Sequence, residues 1–128
     1  MQIIDTVVLV SSNDPTHPLH SRARQHLISL AVLQDIYVPT LVLIEYDLEL
    51  KSHGFSAIER ERIFRNLAVL IPNHKILQST PSIHERAVQY ESYGGYFDSL
   101  LAASALEYQA TIISTDHIFD RINVPRIW

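Results

Sequence analysis

Four short apolar runs, QIID, DIYVP, HKILQ and TIIST, punctuate the chain, and a longer segment of helical character separates each from the next. The runs are apolar throughout rather than alternating, which is the pattern of strands covered on both faces. Strands that alternate with helices in this way build a parallel sheet flanked by helices. The implied fold class is α/β, a three-layer α/β/α sandwich around a central parallel sheet.

Local signals set the expected boundaries. The first strand ends near Asp5 or Thr6, because SSNDPTHPLH after Val10 is dense in turn formers. A helix is expected from about Pro18 to Leu33. Pro39 closes DIYVP, Thr40 is the expected cap of the helix TLVLIEYDLELKSHG, and Gly54 falls just past its end. Ser56 and Glu59 have capping-box spacing at the head of SAIERERIFRNLAVL. Pro81 opens PSIHERAVQYESYGG, which stops at Gly94 and Gly95. FDSLLAASALEYQA is the fifth helix, and VPRIW a short edge strand. Only 3 glycines and no Pro/Ser-rich run offer a linker, and 47% hydrophobic residues suffice for a core, so residues 1–128 are expected to form one domain.

Composition removes several classes of chemistry. No apolar run approaches the roughly 18 residues that span a bilayer, and MQIIDTVVLV lacks the basic region and cleavage site of a signal peptide. The expectation is a cytoplasmic protein without a membrane partner. With no cysteine there are no disulfides, thiolate zinc sites or cysteine nucleophiles, which leaves carboxylates, histidines and hydroxyls. A net charge of -4 and a pI near 5.9 argue against holding nucleic acid by bulk positive charge. A local basic rim remains open, from Arg22 and Arg24 in HPLHSRARQH and Arg62 and Arg65 in ERERIFR. The plainer reading of both runs is a solvated helix face.

Carboxylates are the groups that cluster. Taken singly, each has an ordinary role: Asp5 in a turn, Glu45 at the edge of an apolar helix, Asp98 capping the fifth helix, and Asp116 capping HIFDR. Leu41, Val42, Ile44 and Leu48 flank Glu45, with Asp47 on the opposite side, in a helix apolar nearly all round. In a βαβ unit, however, a helix starts at the carboxyl edge of the sheet and the next strand returns to that edge. Asp98 and Asp116 therefore meet, Asp5 lies on the same edge, and Glu45 is within reach. Such an assembly repels itself unless protons or a divalent cation neutralise it, and oxygen-only ligation points to Mg²⁺ or Mn²⁺.

At these residues the chain resembles the PIN-domain family, metal-dependent ribonucleases that include the VapC-type toxins of toxin–antitoxin pairs. The resemblance runs through IIDTVVLV, HPLHSRARQHL, VPTLVLIEYDLEL and YFDSLLAASALEYQATIISTDHIFDRI, the last being the most specific. It implies that Asp5, Glu45, Asp98 and Asp116 are the four catalytic, metal-binding acids, that Ser114 is the hydroxyl two places before the last acid, and that Asp120 is a weaker supporting residue. It also implies metal-bound cleavage of an RNA substrate and an antitoxin partner. Val7 departs from the family's Asn or Ser two places after the first acid and cannot hydrogen-bond a metal-bound water. Thr6 is expected to substitute in part.

Other enzymes with an aspartate after the first strand fit less well. A haloacid-dehalogenase phosphatase needs a second acid where Val7 stands. A receiver domain needs a late lysine, and the only lysines are Lys51 and Lys75. The alternative from another class is a catalytically weak or silent PIN-like module that binds RNA or a protein partner, for which Val7 is the evidence. Apolar helix surface around residues 41 to 70 and the family resemblance together suggest a homodimer.

Overall fold

The computed structural model describes residues 1–32 and 35–128. Its elements are β1 (Gln2–Ile4), α1 (Thr6–Asn13), α2 (His20–Val32), β2 (Ile36–Pro39), α3 (Thr40–Ser52), α4 (Ala57–Leu70), β3 (Ile76–Leu77), α5 (Pro81–Val88), α6 (Tyr96–Glu107), β4 (Thr111–Ile113), α7 (Ile118–Arg121) and β5 (Arg126–Ile127). The five strands form one sheet in the order β3-β2-β1-β4-β5, and every pairing is parallel. The order places β2 and β3 on one side of β1 and β4 and β5 on the other, and the right-handed rule for parallel crossovers then assigns α1 to α4 to one face and α5 and α6 to the opposite one. The α/β sandwich expected from the alternation is the fold observed.

The core lies on both sides of β1 and β4. Ile3, Ile4, Ile112 and Ile113 are completely buried, as are Ala102 and Ala103 of α6, whose small side chains let that helix lie close to the sheet. From β1 the chain runs outward in one direction to β3, then crosses back to β4 and continues the other way to β5. The switch point is thus between β1 and β4, where an open α/β sheet leaves a crevice outside its strand ends.

Some boundaries differ from expectation for identifiable reasons. The first strand does end before Asp5, but the following TVVLVSSN, to which no element was assigned, is helix α1. Its β-branched residues favour a strand locally, and tertiary burial of Val8 and Leu9 overrides that preference. Thr40 is not the cap of α3: Pro39 holds that place, and the Thr40 hydroxyl donates instead to the Leu77 carbonyl at 3.0 Å, tying α3 to β3. The His74 and Lys75 ends of HKILQ belong to a short 3₁₀ turn before β3. Helix α5 stops at Val88 rather than Gly94, because Gln89 and Tyr90 bond to Arg86 and Ala87 three residues back and tighten the chain into turns. The expected end of α2 at Leu33 falls outside the described residues.

The capping box of α4 is present, with the Glu59 N–H donating to Ser56 Oγ at 3.2 Å and the Ser56 N–H to Glu59 Oε2 at 2.7 Å. Helix α3 is not buried all round. Its covered stripe is Leu41, Val42, Tyr46 and Leu50, whereas Ile44 and Leu48 face solvent and half-buried Asp47 pairs with Arg60 at 2.8 Å. Helix α4 has no fully buried residue: Ile63, Phe64 and Leu67 lean on the core, while Ile58 and Val69 are open.

Candidate active site

The crevice at the switch point is a cleft of about 330 Å³ whose lining includes Asp5, Thr6, Val7, Glu45, Asp98 and Asp116. Each acid arrives from a different element. Asp5 is the first residue beyond β1, held there by its N–H donating to the Ile113 carbonyl at 3.1 Å. Glu45 lies in the second turn of α3. Asp98 is in the first turn of α6, and Asp116 follows β4 by three residues. The four acids read from the sequence are therefore brought to the lining of one cleft, among Thr6, Val7, Val10, Glu49 and Thr115.

Gly94 and Gly95 make the approach of α6 possible. A Cβ on Gly94 would stand 2.9 Å from Ile118 Cγ1 of α7 and 3.3 Å from the Asp98 side chain. Any larger residue there would push the start of α6, and with it Asp98, away from the β4 end of the cleft.

One hydrogen-bond chain links three of the acids. The Asp116 N–H donates to Ser114 Oγ at 2.9 Å, and Ser114 Oγ–H donates in turn to Asp5 Oδ2. The other Asp5 oxygen accepts the Thr6 N–H at 2.6 Å, while the Thr6 hydroxyl donates to Glu45 Oε2. Thr6 and Ser114 are both buried, so their single hydroxyl protons are committed to these carboxylates. Asp98 accepts the Gly95 N–H at 3.0 Å, and Asp116 accepts the Ile118 N–H at 2.8 Å. The capping roles considered for both residues are real, and both residues still face the cleft.

Burial sets the electrostatics of the cleft. Desolvation raises Asp5 to about 6, against the lowering effect of the Ser114 and Thr6 hydrogen bonds, with Asp98 and Asp116 pushing it further up. Glu45 is raised to about 7, first by burial and then by Asp5, Asp98 and Glu49, with Thr6 opposing. Asp98 is also raised, again chiefly by burial and then by Asp116, against its bond from Gly95. Metal-free, the cleft holds protons that an exposed carboxylate would have lost. Among the described residues no three carboxylate or imidazole side chains stand close enough to enclose an ion by themselves. The fit to a cation rests on the donor set, which is oxygen only, as hard divalent ions require, with Asp5, Glu45 and Asp98 half-buried and Asp116 exposed.

The remaining sequence candidates lie elsewhere. Asp120 is not in the cleft: it is exposed, forms a two-pronged ion pair with Arg126 at 2.8 and 3.1 Å, and bonds to His117 Nδ1 at 2.9 Å. Those partners hold its carboxyl down to about 2. Nor do the four expected rim arginines line the cleft. Arg22 donates to the Trp128 carbonyl at 3.1 Å, and Arg65 pairs with Glu61 on its own helix. Sequence reasoning missed Arg126, which sits beside Asp116 and donates to the Ser114 carbonyl at 3.1 Å. No local signal could have singled it out, because its role depends on β5 pairing with β4. A second, more apolar cleft of about 560 Å³ adjoins the first, sharing Val10 and Glu49 and reaching Tyr46, His53 and Phe55.

A doubly wound α/β domain with four acids at its switch point is the class defined by fold and site together. Residues 3–125 match the family model of the PIN domain, and the chain belongs to that family, whose members are generally nucleases. Among solved structures it resembles FitAcB from Neisseria gonorrhoeae, with 21% identity and a TM-score of 0.78 over 100% of this chain and 97% of that one. It also resembles VapBC2 from Rickettsia felis bound to a promoter DNA fragment, with 18% identity and a TM-score of 0.75 over 99% of this chain and 98% of that one. A third is the Mycobacterium tuberculosis toxin VapC20, which cleaves the sarcin-ricin loop, with 12% identity and a TM-score of 0.74 over 97% of this chain and 96% of that one. Comparison with curated protein sequences gave no match.

The raised Glu45 predicts a specific pH dependence. A carboxyl whose folded pKa lies above its unfolded value binds protons more tightly when folded, so its favourable contribution is complete below about 4.5 and is lost as pH rises through about 7. Glu45→Gln keeps an acceptor for Thr6 and cannot ionise. In EDTA, thermal melts should place the variant above wild type at about pH 8, with that advantage gone at about pH 4.5. A difference that stays constant between the two pH values would show that Glu45 does not titrate in the cleft.

Proposed function

We propose that residues 1–128 are a single nuclease domain, a metal-dependent endoribonuclease that hydrolyses RNA phosphodiester bonds in the cytoplasm as the toxin of a toxin–antitoxin pair. The observation that carries this reading is the convergence of Asp5, Glu45, Asp98 and Asp116 on one cleft, with hydroxyl donors from Thr6 and Ser114 holding two of them in place. These carboxylates repel RNA as they stand, so the same residues that would act on a phosphate need a cation to admit it.

Asp5, Asp98 and Asp116 would hold Mg²⁺ or Mn²⁺, with Glu45 contributing directly or through water. A bound ion would lower the pKa of an attacking water and neutralise phosphate charge. Ser114 fixes the direction of the Asp5 carboxylate, and Thr6 does the same for Glu45. Glu45, anchored through Oε2, retains Oε1 to orient the nucleophile and accept its proton. No side chain of the cleft acts as a covalent nucleophile in this scheme. Arg22, Arg24, Arg62 and Arg65 remain as outer contacts for a longer RNA, away from the reacting phosphate.

An antitoxin is the partner that best suits the adjoining apolar cleft. Its walls combine Val10, Tyr46, Leu50 and Phe55 with the acidic Asp14 and Glu49, a surface for a peptide with apolar and basic residues. Val7 supports a second reading, a weakly active or silent module, because it lines the acid cleft with a side chain that can orient no water.

Purified protein incubated with labelled RNA should cleave it in Mg²⁺ or Mn²⁺ and stop in EDTA. Cleavage that persists in EDTA, or its absence with every metal while the fold is intact, would favour the binding module. The same cation should stabilise the fold by about 2.7 kcal/mol at 100 times its dissociation constant. Asp98→Asn retains an acceptor for the Gly95 N–H, so its metal-free melting temperature should equal or exceed wild type while its response to Mn²⁺ shrinks. A lower metal-free melt with a full response would assign Asp98 to capping alone.

Val7→Asn should raise the cleavage rate at matched metal concentration, since an amide there can orient a bound water. No gain would mean that Val7 is neutral packing or that Thr6 already fills the role. The exposed Ile44, Leu48, Ile58 and Val69 on α3 and α4 support a homodimer. Light scattering should give twice the chain mass at tens of micromolar, and a monomer would remove the proposal.

A further inference from the structure

We propose that Arg126 is a positioning residue of the acid cleft and that Asp120 acts only by aiming it. This rests on the nuclease reading of the cleft. Ser114 is the junction. It is completely buried, its hydroxyl orders Asp5 and Asp116 together, and its backbone N–H is held by the Ile127 carbonyl at 2.9 Å. Strand β5 is two residues long, so its backbone supports the Ser114 N–H, and the donor to the Ser114 carbonyl is the Arg126 guanidinium, Nη1 at 3.1 Å. That carbonyl fixes the peptide plane from which the chain continues through Thr115 to Asp116.

The other guanidinium nitrogens are engaged as well. Nε and Nη2 grip the two Asp120 oxygens, and Nη2 lies 2.9 Å from His117 Nδ1. A planar fork held on one side by a carboxylate presents its remaining amine in a single direction. The side chain thereby ties α7 to the end of β4 and sets the two acids that Ser114 connects. Lysine cannot do this, because one ammonium cannot hold a carboxylate in two-pronged geometry and reach the Ser114 carbonyl along a fixed vector.

The full chain tests this with Arg126→Met, Arg126→Lys and Asp120→Asn. In metal-free protein, NMR hydrogen exchange should be roughly tenfold faster at the Asp116 amide in Arg126→Met, as expected for losing one charge-assisted hydrogen bond. The Ile112 amide, bonded to the Pro125 carbonyl, should be unaffected. The Mn²⁺ midpoint for thermal stabilisation should weaken by about 10- to 100-fold and kcat should fall with it, while KM for RNA holds. Lysine should not rescue.

Unchanged exchange at Asp116 overturns the proposal, as does a rise in KM alone with the Mn²⁺ midpoint intact, which would make Arg126 an RNA contact. Full recovery in Arg126→Lys also overturns it. If Arg126→Met does not fold, Asp120→Asn, altered at an exposed carboxylate, carries the same measurements. If wild type neither cleaves RNA nor responds to Mn²⁺, the nuclease reading fails, and the metal-free exchange at Asp116 still decides the clamp.

Discussion

The parallel pairing of Ile4 with Ile113 is the contact on which the site depends. It joins the first strand to the fourth, and it continues one residue further as the Asp5 N–H reaches the Ile113 carbonyl. The result is that Asp5 and Ser114, 109 residues apart in sequence, lie side by side. Closing so long a loop costs little more than closing a moderate one, because the entropy grows only with the logarithm of length. It does mean that no part of the chain can assemble the cleft locally. The acids are in place only once β1 has entered the centre of the sheet, so the integrity of the site reports the integrity of the whole fold.

That placement creates an electrostatic tension, and the local hydrogen bonds moderate it without removing it. Desolvation and mutual repulsion raise Asp5 and Glu45, and Ser114 and Thr6 pull them back only part of the way. With Asp5 near 6 and Glu45 near 7, the metal-free cleft at neutral pH carries fewer than four negative charges. Protons and any cation therefore compete for one set of oxygens.

The layered architecture and the four acids were legible because they follow from period and connectivity. Apolar runs alternating with helices dictate a parallel sheet, and a βαβ unit must return to the edge from which its helix set out. What escaped was decided by tertiary contact. Helix α1 was invisible because Thr6, Val7 and Val8 favour a strand locally, and the burial of Thr6, Val8 and Leu9 in the folded chain overrides that preference. The exposure of Ile44 and Leu48 could not be read from a helix apolar nearly all round, since apolarity does not say which face is covered. Asp120 entered only as a weaker supporting residue implied by the resemblance, and the short turn into α7 directs it to Arg126. Arg126 itself lies in a strand so short that its meaning comes entirely from its neighbour β4.

The ordinary explanation for Asp5, Asp98 and Asp116, that each caps a helix or closes a turn, proves correct, and it does not exclude a further role. A carboxylate offers about four lone-pair sites on two oxygens. Asp98 spends Oδ2 on the Gly95 N–H, Asp116 uses Oδ1 for the Ile118 N–H, and Glu45 takes the Thr6 hydroxyl on Oε2. In each case the anchoring bond leaves capacity on the side chain, and it is the anchoring that gives the remaining oxygen a direction. An exposed acid on a flexible stem would lose side-chain entropy on meeting a cation, whereas these are already held. Capping is thus the means by which a half-buried carboxylate is pre-organised. What the four share beyond that pre-organisation is their place, since Asp5, Glu45, Asp98 and Asp116 all line the cleft between β1 and β4.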